Sequence, residues 1–138
     1  MAKGYHVNLE QTTLENTNFR KVLYTLNGLQ LVAMSLQPGE DIGAEIHPEN
    51  DQFFRFEAGQ GKVIIDETTY EVEDGSTIIV PKGANHNIIN TSATEALKLY
   101  TIYTPAHHKD GVIHATKADA EHAEEAGTDE FDGVTSEV

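Results

Sequence analysis

The chain has 138 residues and a mass of 15.2 kDa, the size of one domain, and its 38% hydrophobic content is enough for a packed core. The absence of cysteine excludes disulfides, thiolate metal ligands and a cysteine nucleophile. A formal charge of −14 argues against nucleic acid and anionic membranes as partners, because both are negatively charged. The sequence has neither a secretory signal nor an apolar run of about 18–20 residues, so we expect a cytoplasmic protein.

Residues 19–103 are predicted to form short strands separated by turns. The first two, at 19–25 and 29–36, flank Asn27-Gly28, a pair typical of a tight hairpin turn. Further strands are expected at 53–57, 62–66, 69–72, 77–80, 86–90 and 97–103. Because no helical period separates them, the pattern predicts an all-β sandwich or barrel.

The last part of the chain has a different character. Thr116 lies three residues before Asp119, the spacing of a helix-capping box, and an Ala- and Glu-rich stretch follows up to Gly127. We therefore predict a short helix at about 118–126 and a disordered acidic tail after it. The expected division is a barrel with its N-terminal strands at 1–106 and a C-terminal extension at 107–138.

Two segments place histidine, acid and amide residues at fixed distances from glycines. In the first, five residues separate Gly39 from Glu45-Ile46-His47, four residues then precede Gln52, and six more precede Gly59. In the second, five residues separate Gly75 from Pro81-Lys82-Gly83, two residues then precede His86, and three more precede Asn90.

These segments resemble the two motifs of the cupin family. The second motif matches at every fixed position, whereas the first has Glu45 where the family has a histidine and Gln52 where it has a glutamate. The resemblance implies an all-β double-stranded β-helix, a small jelly-roll barrel. It also implies a divalent metal ion inside the barrel, at the positions of Glu45, His47, Gln52 and His86.

Strand alternation predicts which side chains share the barrel interior. Residues 45 and 47 point the same way, and Gln52 shares a face with Phe54 and Phe56, while Arg55 lies outside. On the second motif His86, Ile88 and Asn90 share a face. We therefore expect a cavity lined by Phe54, Phe56, Ile88 and Asn90, although Asn90 could instead brace a turn.

Two interpretations of the four variant-motif residues are open. Two imidazoles, a carboxylate and an amide oxygen suit Fe, Mn, Zn or Ni, and Glu45 restores the negative charge that Gln52 lacks. Alternatively, Glu45 and Gln52 bond to His47 and His86 in a polar cluster that holds no metal. The mixed ligand chemistry favours the first interpretation, a metal site.

The remaining aromatic and histidine residues rank lower. Tyr100 and Tyr103 have opposite parity on the last strand, so only one can face the cavity, where it would either transfer a proton or fill the core. We take Tyr103 with Glu45 as the candidate catalytic pair. The other histidines are expected to lie on the surface; they are His6, His107, His108, His114 and His122.

Three functions follow from this resemblance and these residues. The first is a metal-dependent isomerase or tautomerase that acts on a small sugar-like or sugar-acid-like molecule, with Glu45 moving a proton. The second is an Fe(II)-dependent dioxygenase, and the third is a small-molecule binding module or sensor without turnover. Cupins commonly dimerise, and Phe53 on the outer face could be covered by a second chain, so a homodimer is expected.

Overall fold

The computed structural model describes residues 1–137, and within that range no helix is long and apolar enough to cross a membrane. Residues 1–137 contain two helices, α1 (Leu9–Glu15) and α2 (Lys117–Ala126). The ten strands of this range are β1 (Arg20–Thr25), β2 (Gln30–Leu36), β3 (Glu45–Ile46), β4 (Asp51–Ala58), β5 (Gln60–Ile65), β6 (Thr68–Glu73), β7 (Thr77–Val80), β8 (Asn85–Asn90), β9 (Leu97–Thr104) and β10 (Ile113–His114).

The strands form two antiparallel sheets. The larger has the order β10-β1-β2-β9-β4-β7, and the smaller has the order β3-β8-β5-β6. Side chains from both sheets, such as Val32 and Phe54 of the first and Val63 and Ile88 of the second, share one buried cluster. The predicted all-β jelly-roll barrel is confirmed, and so is the hairpin that joins β1 to β2.

Alternation along β4 sorts its side chains as the sequence predicts. Gln52, Phe54 and Phe56 are 4%, 1% and 0% exposed, which places all three inside the barrel. Arg55 lies on the outer face, where its Nε donates to Glu57 Oε1 at 2.7 Å. The interior is therefore apolar around Gln52, so a polar atom there needs a partner.

The N-terminal helix α1 was not predicted. Asn8 caps it, since its side chain accepts a hydrogen bond from the backbone N–H of Gln11. The helix lies across the outer face of the larger sheet, where Lys98 Nζ donates to the carbonyls of Leu14 and Asn16 at 2.8 and 2.7 Å. It covers one end of that face and leaves the other end open.

The C-terminal helix is confirmed, but the disordered tail is not. Thr116 and Asp119 form the capping box reciprocally, and Gly127 ends α2 in the left-handed conformation. After the helix, Asp129 is only 4% exposed and Ser136 Oγ accepts a hydrogen bond from the backbone N–H of Thr25 at 2.9 Å. Specific polar contacts with the barrel therefore hold a segment whose acidic composition alone predicts disorder.

Replacing Gly59 with alanine is expected to destabilise the barrel strongly. Gly59 has a φ of +93°, and a Cβ there would lie 2.5 Å from the carbonyl oxygen of Ala96. The backbone strain alone costs about 1–3 kcal/mol, and the clash adds to it. Gly75→Ala is the matched control, since Gly75 has a similar φ of +88° but open space around it. Equal losses of unfolding free energy in urea for the two variants would contradict the role of the close approach.

Candidate metal centre

Strand pairing brings three predicted ligands together. Glu45 on β3 lies opposite His86 on β8, and His47 follows Glu45 by two residues on the same face. Ile46 points the other way and is 58% exposed. One ligand atom from each of Glu45, His47 and His86 lies within 4.8 Å of the other two, a spacing that suits a single metal ion.

The contact between Glu45 and His47 suggests shared coordination. His47 Nε2 lies 2.8 Å from Glu45 Oε2, within ion-pair distance, although the angles are poor for a hydrogen bond. Two ligands of one metal ion lie about 3 Å apart without bonding to each other. A buried polar atom without a partner marks a position where an ion or a water molecule would complete the structure.

The protonation states of the cluster suit a cation. Burial lowers the pKa of His86, which favours the neutral imidazole that a metal requires. Its Nδ1 lies 3.4 Å from the carbonyl of Ala84, so the proton on Nδ1 can point there and leave Nε2 free. Burial opposes ionisation of Glu45, but the adjacent His47 outweighs it and the pKa of Glu45 is lowered. The cluster therefore offers a carboxylate and a neutral imidazole.

Gln52 is buried inside the barrel, and only the nitrogen of its amide makes a hydrogen bond. Its Nε2 donates to Thr101 Oγ1 at 2.9 Å, whereas its Oε1 is buried without a partner. Of the two contacts in the metal-free interpretation, the one between Glu45 and His47 is present, whereas within residues 1–137 Gln52 makes no hydrogen bond to His47 or His86. The free oxygen is the atom that an amide offers to a metal, so the residues present suit a divalent cation.

A pocket of about 310 Å³ opens beside Glu45 and His47. Its other walls come mostly from the C-terminal extension. The full lining is Glu45, Ile46, His47, His107, His108, Glu124, Gly127, Asp129 and Glu130.

The four predicted lining residues do not line this pocket. Phe54, Phe56 and Ile88 are core residues, and the ring of Phe54 lies 6.1 Å from that of His86. Asn90 braces a turn, since its Nδ2 donates to the carbonyls of Leu36, Gln37 and Glu95. The barrel interior is filled by these side chains, so the opening lies at its edge.

Two of the histidines predicted to lie on the surface instead belong to the site. His107 packs on His47 with ring centres 4.4 Å apart, and His108 is only 2% exposed. His114 is also buried, whereas His6 and His122 are exposed as predicted. His107 and His108 follow β9, which ends at Thr104, and both residues line the pocket.

A chain of hydrogen bonds runs behind the pocket. Tyr103 Oη and His108 Nε2 lie 3.0 Å apart, and His108 Nδ1 lies 2.8 Å from Asp129 Oδ2. Burial lowers the pKa of His108 to about 4, so the neutral ring donates to Asp129 and accepts from Tyr103. Tyr103, proposed as a proton donor, is thus committed to His108, and burial raises its pKa further from neutrality.

Arg20 lies beside this chain of hydrogen bonds, and its side chain is 2% exposed. Its Nη1 lies 3.7 Å from Asp129 Oδ2 and 3.8 Å from Glu124 Oε1. Burial opposes ionisation of Asp129, but His108 and Arg20 outweigh it and its pKa is lowered. No sequence pattern predicts the contact between Arg20 and Asp129, because the two residues are far apart in the chain.

Acidification is expected to destabilise the metal-free protein already between about pH 6.5 and pH 4. An unfolded histidine takes up a proton near pH 6.5, whereas burial delays protonation of His108 in the folded state until about pH 4. The unfolded chain therefore binds more protons in this window, and stability falls as the pH falls. Urea unfolding at several pH values measures the slope, which should be smaller in His108→Gln. The same slope in both proteins would contradict this origin.

Comparison with known proteins identifies the fold family. The sequence profile of a family described as "Cupin domain" matches residues 32–103. The uncharacterised protein YrkC of Bacillus subtilis is 47% identical over 129 residues, which cover 89% of this chain and 69% of YrkC. The crystal structure of BH2720 from Bacillus halodurans superposes with a TM-score of 0.86 at 44% identity, over 88% of this chain and 96% of that one.

A more distant structure shares the fold alone. It is a "predicted oxalate decarboxylase" from Thermotoga maritima, which matches with a TM-score of 0.53 at 15% identity, over 68% of this chain and 96% of that one. The family profile covers more than half of the sequence and includes all four predicted ligand positions. The chain, with its two antiparallel sheets and its paired motifs, therefore belongs to the cupin family.

Proposed function

We propose that this cupin is a metal-dependent enzyme with isomerase- or tautomerase-type chemistry on a small polar molecule, such as a sugar or a sugar acid. One observation carries the proposal. Glu45, His47 and His86 each offer a ligand atom within 4.8 Å of the other two, and Glu45 and His47 also line a pocket.

The proposed metal ligands are Glu45, His47 and His86, with Gln52 Oε1 as the fourth. This mixed set of nitrogen and oxygen donors suits Fe, Mn, Zn or Ni. When bound, a divalent ion supplies Lewis-acid polarisation of a carbonyl or hydroxyl group. Gln52 supports the assignment because its oxygen is buried and unpartnered while its nitrogen is anchored to Thr101.

The chain's own contribution is proton transfer by Glu45. Its side chain is 22% exposed and lines the pocket, so one carboxylate oxygen can reach a bound molecule while the residue stays anchored beside His47. His107 packs against the His47 ring and restricts its orientation. We assign Tyr103 a positioning role rather than a catalytic one, because its hydroxyl is held by His108 and it does not line the pocket.

Hydrogen exchange in D₂O tests the proposed chemistry. The metal-loaded protein would be incubated with panels of aldoses, ketoses and their acids, and NMR would follow deuterium entry at the carbon beside the carbonyl. We expect exchange in the wild-type protein and its loss in Glu45→Gln, while His122→Gln, at an exposed site, behaves as wild type. Exchange at the same rate in Glu45→Gln would contradict its role.

The donor set also favours one alternative. Two histidines and one carboxylate are the ligands of many non-haem Fe(II) sites that activate O₂. Oxygen uptake by the anaerobically Fe(II)-loaded protein, dependent on an added substrate, would support the dioxygenase. A molecule that binds without exchange or oxygen uptake would instead support a sensor or binding module.

We further propose that the protein is a homodimer that pairs through the outer face of the larger sheet. The strand register aligns Ile79, Phe53, Ile102 and Leu31 in one continuous row across β7, β4, β9 and β2. Ile79 is 66% exposed, and Phe53 packs beside Tyr100 with ring centres 6.3 Å apart. A second copy would remove this apolar row from water.

Light scattering after size-exclusion chromatography tests the dimer. We expect a mass of two chains for the wild-type protein and a shift toward one chain for Ile79→Asp, because a buried charge would oppose pairing. Thr69→Asp, on the exposed strand β6 of the smaller sheet, serves as a control for added charge. A one-chain mass for the wild type at high concentration would contradict the proposal.

A further inference from the structure

The pocket beside the candidate metal centre has an unusually acidic wall. Four carboxylates line it, from Glu45, Glu124, Asp129 and Glu130. Only the first belongs to the barrel motifs; the other three come from α2 and the segment after it. The C-terminal extension therefore controls the charge that an entering molecule meets.

The buried guanidinium of Arg20 does not offset this charge for a ligand. Arg20 Nη1 lies within 3.8 Å of both Glu124 and Asp129, and its side chain is 2% exposed. Its Nε and Nη1 make no hydrogen bond, but Arg20 does not line the pocket, so an entering molecule does not contact it directly. Four carboxylates and one guanidinium give a formal charge of −3, and a divalent ion at the cluster would reduce this only to −1.

The hydrogen-bonding groups of the wall also favour ligands that donate hydrogen bonds. Asp129 Oδ1 is a buried acceptor without a partner, and His108 already donates its Nδ1 proton to Asp129 Oδ2. Glu124 and Glu130 are exposed acceptors. A hydroxyl or ammonium group can donate to such acceptors, whereas a carboxylate or phosphate of a ligand cannot.

We propose that this pocket admits uncharged or amine-bearing polyhydroxy compounds and discriminates against carboxylate- or phosphate-bearing ones. The inference rests on the proposed function, since it narrows the substrate class of the same site from sugars and sugar acids to sugars and amino sugars. The proposal also argues against oxalate as a substrate, because this dianion would face the acidic wall even with a divalent metal ion in place.

Three sugars that share one ring and differ in charge test the proposal. Glucosamine, glucose and glucuronate would be titrated into the full-length Zn²⁺-loaded protein, and NMR would follow the imidazole signals of His47 and His107. We expect glucosamine to bind most tightly, glucose next, and glucuronate at least about tenfold more weakly than glucosamine. Glucuronate binding as tightly as glucosamine, or no response to any of the three, would overturn the proposal.

Variants that remove carboxylates from the pocket wall test whether these carboxylates cause the preference for glucosamine over glucuronate. Glu124→Gln with Glu130→Gln should reduce the glucosamine-to-glucuronate affinity ratio several-fold. The matched control is Glu71→Gln with Glu73→Gln, which removes two exposed carboxylates on β6, away from this pocket, and should leave the ratio unchanged. An equal effect of both pairs would assign the selection to net charge and overturn the proposal.

Metal content in the same samples separates the two proposals. Retained metal with the wrong order of affinities contradicts only the substrate class. A protein that retains no metal contradicts the proposed function, yet the wall then carries its full charge of −3 and the same order is still expected.

Discussion

Replacing His86 with alanine is expected to weaken binding of a divalent metal by on the order of 100-fold or more. Changes to residues that merely orient ligands typically cost about 10–100-fold, and removal of a ligand itself should cost at least as much. His86 is 5% exposed and faces Glu45 across β3 and β8, so its loss leaves His47 as the only imidazole of the proposed ligand set. Competition with a chromophoric chelator measures the affinity.

Two further variants test the individual ligand assignments. Glu45→Gln should lower the affinity because it removes the carboxylate charge of the cluster, whereas Gln52→Glu should raise it by adding one. His122→Ala is the control, because His122 is an exposed histidine away from the pocket lining. Unchanged affinity in His86→Ala would show that metal binds elsewhere, and no response to Gln52→Glu would remove Gln52 from the ligand set.

Replacing Asp129 with alanine is expected to cost about 3–5 kcal/mol of unfolding free energy, because it leaves a buried charge without its partner. Asp129 accepts from His108 at 2.8 Å and lies 3.7 Å from the guanidinium of Arg20, and all three side chains are buried. Urea unfolding of the metal-free protein measures the loss, so that metal binding does not contribute to it.

Two further variants serve as controls for Asp129→Ala, one conservative and one on the surface. Asp129→Asn keeps the shape and one acceptor oxygen, so we expect a smaller loss than with alanine. Glu125→Ala removes an exposed carboxylate from α2 and should change stability by less than about 0.5 kcal/mol. A loss in Asp129→Ala no larger than that in Glu125→Ala would contradict a structural role for the buried network.

The barrel could be predicted from the sequence because its signals are local. Asn27-Gly28 marks a hairpin, and alternation on β4 separates Phe54 from Arg55, as the structure confirms. The convergence of Glu45, His47 and His86 also follows from motif spacing, once the resemblance supplies the pairing of the two motifs. Helix α2 was predictable for a similar reason, since Thr116 and Asp119 lie within one turn.

The outer half of the pocket could not be predicted because it depends on contacts between distant segments. His107 and His108 follow the last long strand, and their environment is set by Asp129, some twenty residues later. The composition of that later segment is acidic and predicts disorder, although Asp129 is buried in the fold. Arg20 carries no motif, and its position beside Glu124 arises only when β10 pairs with β1 and α2 follows.

Metal content of the tag-free protein is the most direct test of the central claim that Glu45, His47 and His86 hold a divalent ion. The protein would be purified without chelators and analysed by plasma mass spectrometry beside Glu45→Ala and His86→Ala. We expect near-stoichiometric metal in the wild type and its loss in both variants. Absence of metal from the wild type, even after anaerobic incubation with Fe, Mn, Zn and Ni, would contradict it.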